Sequence, residues 1–262
     1  MEMLSFDCVH DALQAMTEQL AAAVRQKTDG PFHIALSGGG TAKLLFRLWA
    51  QEYVRKIAWS RLRFYWVDER CVPPDDPESN FKYADELLFQ KIGIPDNHLF
   101  RIRGEEDPEQ EARRYAAAVR AELPLQDGLP RFDAVVLGIG DDGHTASIFP
   151  HTPGLLTDPA CYAVSRHPVT GQWRITMTGP LILNGAELLF PVIGPGKAEI
   201  LQKIDGPQER NIPQDTSSAA PNGRRSIRTV KYNPARSAFR SSSGIFAYLC
   251  GDQTGKRWNN RS

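Results

Sequence analysis

The 262-residue chain lacks the features that would place it in several broad classes. Its four cysteines, Cys8, Cys71, Cys161 and Cys250, stand far apart and form no CxxC pair. That spacing argues against a disulfide framework and against a thiolate zinc site. No apolar run approaches the ~20 residues needed to span a bilayer. The opening MEMLSFDCVHDALQ has no basic segment followed by an apolar one, so no signal peptide is read and the expected location is cytoplasmic. Charge of one sign is not in excess: 31 Lys+Arg balance 31 Asp+Glu, which excludes a general affinity for nucleic acid or membrane surfaces. His10, His33, His98, His151 and His167 show no metal-ligand spacing, and neither a metal nor another cofactor is expected.

The balance hides an asymmetry. Residues 1–204 carry 21 Lys/Arg against 27 Asp/Glu, whereas 205–262 carry 10 against 4. Leu13, Met16, Leu20 and Val24 recur at helical spacing and predict a helix over 11–27. Short apolar runs predict strands at 32–36, 62–67, 132–137, 161–164, 173–177 and 187–193. Between them, helices are expected at about 41–52, 80–90 (capped by Ser79 or Asn80), 109–122, 180–184 and 197–204. Strands alternating with helices predict a doubly wound, mostly parallel α/β sheet with helices on both faces. Residues 1–204 are expected to form a single catalytic domain. The Pro/Ser/Gly/Arg-rich stretch from 206 to about 232 has no period and reads as a mobile insertion, after which 244–250 returns one strand.

In such a sheet, ligands bind beyond the carboxyl ends of the strands. Four unusual segments fall at those ends: Ser37–Thr41, Asp68–Arg70, Gly138–His144 and Gly194–Lys197. Ser37-Gly38-Gly39-Gly40-Thr41 joins a strand to a helix N-terminus, where close backbone approach and the helix dipole favour an anion. It is followed by Ala42-Lys43 and is not a Walker A loop. Gly138, Gly140 and Gly143 spell the G-x-G-x-x-G of a dinucleotide turn, yet Asp141 and Asp142 would set two negative charges beside a pyrophosphate. Pro150 and Pro153 also cut short the helix that such a turn requires. The useful residue is His144, whose imidazole can take a proton from water, with Asp142 two residues earlier able to fix its tautomer. Arg70 suits bidentate recognition of a phosphate or carboxylate, while Glu69 reads as a surface salt-bridge partner. Arg174 and Lys197 are further cations. Lys197 falls in the first turn of its helix, where the dipole disfavours a cation unless a ligand anion lies nearby.

The motifs GIGDDGHTASIFP, SGGGT, VDER…SN and RITMT…GPGKAEIL together resemble the glucosamine-6-phosphate isomerase/6-phosphogluconolactonase family over about residues 10–204. The resemblance implies a Rossmann-like fold of the glucosamine-6-phosphate deaminase type. It also implies hydrolysis of 6-phospho-D-glucono-1,5-lactone to 6-phosphogluconate, the second step of the oxidative pentose phosphate pathway, without metal or cofactor. His144 would be the general base, oriented by Asp142. Ser37, Gly38, Gly39, Thr41, Asp68, Arg70, Arg174 and Lys197 would hold the sugar phosphate. The deaminase relatives carry Asp-Glu-Tyr where this chain has Asp68-Glu69-Arg70, and a Glu where it has Phe149, so deamination is the second reading. A sugar-phosphate sensor of the same fold is a third, without the helix-turn-helix segment such regulators usually carry. Either a monomer or a homodimer is compatible with the sequence.

Overall fold

The seven parallel strands of the main sheet do not follow chain order, and that permutation positions the site. The computed structural model describes residues 2–194, Lys197, 228–231 and 244–250. Its strands are β1 (Glu2–Phe6), β2 (Phe32–Leu36), β3 (Leu62–Trp66), β4 (Asp68–Arg70), β5 (Leu125–Gln126), β6 (Leu129–Pro130), β7 (Ala134–Val136), β8 (Tyr162–Arg166), β9 (Trp173–Met177), β10 (Glu187–Ile193), β11 (Arg228–Lys231) and β12 (Gly244–Cys250). Its α-helices are α1 (Val9–Gln26), α2 (Gly40–Glu52), α3 (Asn80–Ala84), α4 (Gln90–Ile92), α5 (Pro108–Glu122) and α6 (Gly179–Leu183). The main sheet has the order β11-β1-β12-β10-β7-β2-β3. All five residues of β2 are buried, and a strand turns alternate side chains to opposite faces, so both faces of the sheet are covered at that point. The fold class is the mostly parallel α/β sheet expected.

From β2 the chain steps outward to β3, whereas from β7 it steps the other way, to β10 and then β12. The gap between the carboxyl ends of β2 and β7 is therefore the topological switch point. The β2–β7 ladder itself is short, pairing Ile34 with Ala134 and Ala35 with Val135. Side chains clamp it at both ends. At the amino end the Asp133 carboxylate accepts from the His33 N–H at 2.7 Å and pairs with Lys27 at 2.9 Å. At the carboxyl end the Ser37 hydroxyl donates to the Val136 carbonyl at 2.8 Å.

Helix α1 buries Leu13, Met16, Leu20 and Val24 against the sheet, each worth about 1.5–3 kcal/mol of apolar burial. Trp49 of α2 donates to the Thr17 hydroxyl of α1 at 2.9 Å and locks the two helices in register. Helix α5 starts at Pro108 behind an Asp107 cap, whose side chain accepts from the Gln110 N–H. It packs on β8 and β9.

Several elements differ from those the sequence predicts. Strand β1, with Met3, Leu4 and Phe6 buried, precedes the first predicted element and lies between β12 and β11. The expected 80–90 helix is α3 and α4 joined by a π-helical turn, Asp85–Phe89, and Ser79 rather than Asn80 is its cap. Strands β8 and β9 leave the parallel sheet: with β4 they form a separate antiparallel sheet in the order β4-β9-β8, because their short connection allows only antiparallel pairing. Within the stretch read as an aperiodic insertion, Arg228–Lys231 forms β11, parallel to β1. Strand β12 is the returning strand, set between β10 and β1. The helix expected at 197–204 lies outside the described residues apart from Lys197, as does most of the 206–232 stretch. No helix among the described residues is long and apolar enough to cross a membrane.

Candidate active site

Loops after β2, β3, β7 and β10 meet at the switch point around one cleft of about 320 Å³. The loop after β2 is Ser37–Gly40. Gly39 sits at φ +92°, ψ −177°, a conformation open in practice only to glycine, and it caps α2 without any side-chain hydrogen bond. The first-turn N–H groups of α2 are thus left for a ligand. Gly38 is required for another reason: a Cβ there would meet the Asn80 side chain at 1.7 Å. Gly38, Gly39 and Thr41 line the cleft, as does Ser37. The Ser37 hydroxyl donates to the Val136 carbonyl in this structure.

Beyond β3, the Asp68–Arg70 segment is itself a strand, paired with β9 so that Arg70 stands directly opposite Arg174. Asp68 is buried; its carboxylate accepts from the Ser147 hydroxyl at 2.7 Å and lies 3.8 Å from Arg174 Nη1. Asn80 donates to the Asp68 carbonyl at 2.9 Å and also lines the cleft. Glu69 is not on the surface. It is 2% exposed and accepts from the backbone N–H groups of Arg70, Asn80 and Phe81 and from the Ser79 hydroxyl, at 2.7–3.0 Å. Burial pushes its carboxyl pKa up, and the three backbone donors oppose that shift. Glu69 therefore clamps β4 to the start of α3, and it orients Arg70 and Asn80 without lining the cleft. Arg174 is pulled below the ordinary guanidinium range by burial and then by Arg70 beside it. Both arginines carry a buried Nε without a hydrogen-bond partner among the described residues.

After β7 the chain does not enter a helix. Residues 138–148 fold into a compact turn: Gly140 N–H donates to His144 O at 2.7 Å, Gly143 N–H to Gly140 O at 3.1 Å, and Thr145 Oγ1 to Gly138 O at 2.9 Å. The G-x-G-x-x-G spacing therefore builds no dinucleotide turn. It brings His144 back over Gly140, where a Cβ would meet His144 Nδ1 at 2.1 Å. His144 Nδ1 is hydrogen-bonded to Asp142 Oδ1 at 2.5 Å, and the same oxygen accepts from the His144 N–H at 3.1 Å. Burial raises the Asp142 pKa, but the hydrogen bonds from His144 outweigh it and the net shift is downward. With Nδ1 engaged, His144 Nε2 has no partner among the described residues. The imidazole ring rests 4.7 Å from the Phe149 ring, which is buried and also packs against His151 and His167. Next along the chain, Ala146 lines the cleft at φ +54°, a left-handed conformation rare for a residue with a Cβ.

Of the residues expected at the site, Ser37, Gly38, Gly39, Thr41, Asp68, Arg70, His144, Arg174 and Lys197 line this one cleft, and Asp142 stands behind His144. Lys197 already has an anion beside it: Nζ pairs with Asp141, an exposed carboxylate of the β7 loop. Asn80, Ile139 and Ala146 were not foreseen as site residues. Asn80 had a local signal, but one that pointed to capping. Among the described residues, no three His, Cys, Asp or Glu side chains gather to hold a metal ion.

Known proteins resemble this chain in sequence and in fold. The sequence model of the family described as glucosamine-6-phosphate isomerases/6-phosphogluconolactonase matches residues 6–224. A 6-phosphogluconolactonase of Treponema pallidum is 43% identical over 189 residues, covering 72% of this chain and 78% of that protein. Another, from Aggregatibacter actinomycetemcomitans, is 39% identical over 214 residues, 81% of this chain and 89% of that protein. Among solved structures, one described as the devB protein superposes with a TM-score of 0.77 at 35% identity, covering 96% of this chain and 97% of its own. The 6-phosphogluconolactonase of Trypanosoma cruzi gives 0.70 at 27% identity, with 79% and 86% covered.

Proposed function

This chain belongs to the family of glucosamine-6-phosphate isomerases and 6-phosphogluconolactonases, and within it we propose that it hydrolyses 6-phospho-D-glucono-1,5-lactone to 6-phospho-D-gluconate. One observation carries the reading: a His–Asp pair, its second imidazole nitrogen without a partner among the described residues, shares a cleft with two facing arginines that have only the Asp68 carboxylate within ion-pair distance among those residues. Asp142 accepts a hydrogen bond from His144 Nδ1–H, and that tautomer leaves Nε2 as the proton acceptor. A water between Nε2 and the lactone carbonyl carbon loses its proton to His144 as its oxygen attacks. The tetrahedral intermediate then expels the ring oxygen, which takes the proton from His144 Nε2 and becomes the free hydroxyl of the product acid. Arg70, Arg174 and Lys197, together with the N-terminus of α2, hold the phosphate. Because such lactones open spontaneously in water, one placed base and a fixed substrate supply enough.

The curated relatives of 43% and 39% identity carry the lactonase name. A buried Phe149 packed on His144 supplies no carboxylate for a ring-opening relay, which disfavours the deaminase reading. The test is proton release on adding freshly made lactone, with the spontaneous rate subtracted, for the wild type and His144→Ala. Release is expected to fall by about 10²–10⁴ in the variant. Folded wild type that adds nothing to the spontaneous rate would refute the reading, and glucosamine 6-phosphate would then be the substrate to try.

A further inference from the structure

Arg70 and Arg174 stand opposite each other across the β4–β9 ladder, where like charges repel. Asp68 is the one carboxylate within ion-pair distance of either among the described residues, at 3.8 Å from Arg174. Of the two guanidiniums only Arg174 therefore has a carboxylate within ion-pair distance among the described residues, and a second carboxylate close by is diverted from both. Glu78, in the loop before α3, uses its backbone carbonyl to accept from Arg70 Nη1. Its side chain instead accepts from Gln172 Nε2 at 2.8 Å, and Gln172 Oε1 in turn accepts from Arg174 Nη2 at 3.1 Å. An amide is the side-chain group that can do both at once, accepting from a cation through oxygen and donating to a carboxylate through nitrogen.

We propose that Gln172 is a positioning residue for anion recognition: anchored by Glu78, its amide orients the Arg174 guanidinium towards a phosphate monoester in the cleft and keeps the Glu78 carboxylate off that cation. The proposal deepens the sugar-phosphate reading of the same cleft and rests on it. Gln172→Ala removes the spacer and lets Glu78 pair with Arg174. Gln172→Glu puts a carboxylate directly on Arg174 and neutralises it. Both changes weaken binding of a dianion, the second more than the first, although Gln172 itself touches no substrate.

The experiment uses inorganic phosphate as probe, reading the phosphate-dependent rise in Tm of the wild type, Gln172→Ala and Gln172→Glu, with kcat and KM for the lactone measured alongside. Gln172→Ala is expected to weaken phosphate by about 3- to 10-fold, the scale of one ordinary net hydrogen bond because the site is half-exposed, and Gln172→Glu by more. KM rises in parallel while kcat stays within about twofold, since the bond orients binding rather than the reacting atoms. Unchanged phosphate affinity in both variants overturns the proposal, as does a fall in kcat at constant KM. A wild type that phosphate does not stabilise overturns it as well. Phosphate behaviour as expected in a protein with no lactonase activity would instead remove the lactonase reading and leave the role of Gln172 standing.

Discussion

Gly140 offers a sharp perturbation of the proposed base. A Cβ at this position would lie 2.1 Å from His144 Nδ1, 2.3 Å from Cε1 and 2.8 Å from Asp142 Oδ1. Ordinary contact begins at about 3.5 Å, so in Gly140→Ala the imidazole must retreat by ~1 Å or swing away. The 2.5 Å bond to Asp142 does not survive that movement. The ring has somewhere to go, because the His144 side chain is 26% exposed. The chain therefore need not unfold to relieve the clash. Nor does the alanine strain the backbone, since Gly140 is not among the positive-φ glycines.

Losing one part-exposed hydrogen bond costs roughly 1 kcal/mol, and the lower unfolded-state entropy of alanine returns about 0.4–1 kcal/mol. Tm should stay within about 2–4 °C of wild type. Misplacing a catalytic group by 1 Å costs on the order of 10² in rate, and loss of an oriented base up to about 10⁴. Stopped-flow proton release should thus show kcat reduced by ~10²–10³ in a protein that denatures almost normally. Gly140→Ala that keeps kcat within about threefold would mean that the His144–Asp142 arrangement does not drive the reaction.

Two further predictions concern stability. In Gly38→Ala the new Cβ would fall 1.7 Å from Asn80 Oδ1, and Asn80 is buried and tied to Asp68, so displacing it should cost about 1–3 kcal/mol in urea unfolding; an unshifted midpoint would refute the close approach. His33 is held neutral, with burial the main cause lowering its pKa to about 4, so between pH 6.5 and 4 the unfolded chain takes up a proton that the folded chain refuses. Stability should accordingly fall on acidification through that window, by up to ~3 kcal/mol, and His33→Gln should fall less; equal acid dependence of the two proteins in urea titrations at pH 7 and 4.5 would refute the assignment.

Much of the site was legible because its signals are local. A three-glycine turn between a strand and a helix, a histidine two residues past an aspartate, and arginines at strand ends are patterns contained within a few residues. The same locality explains what was misread. Glu69 looked like a surface charge because nothing in VDER shows that three backbone amides and the Ser79 hydroxyl will close around it. Asn80 competed with Ser79 for the role of cap, and only its packing against Gly38 reveals that the amide serves the cleft. Strand β1 has no turn signal before it to stand out, and its partners β11 and β12 lie more than 200 residues away.

By itself, then, the sequence determined the α/β class, most of the strands and helices, and the residue types at the carboxyl ends of β2, β3, β7 and β10. These follow from hydrophobic period, from glycine's freedom at φ +92°, and from the chemistry of imidazole and guanidinium, all properties of short segments. Only the tertiary structure decided the strand order that makes β2 and β7 neighbours, the departure of β4, β8 and β9 into a second sheet, and the register that sets Arg70 against Arg174. It also decided that Gln172 and Glu78, 94 positions apart, share a hydrogen bond. Such pairings arise when distant segments bury their apolar faces together, and no local pattern encodes which partner a segment will meet.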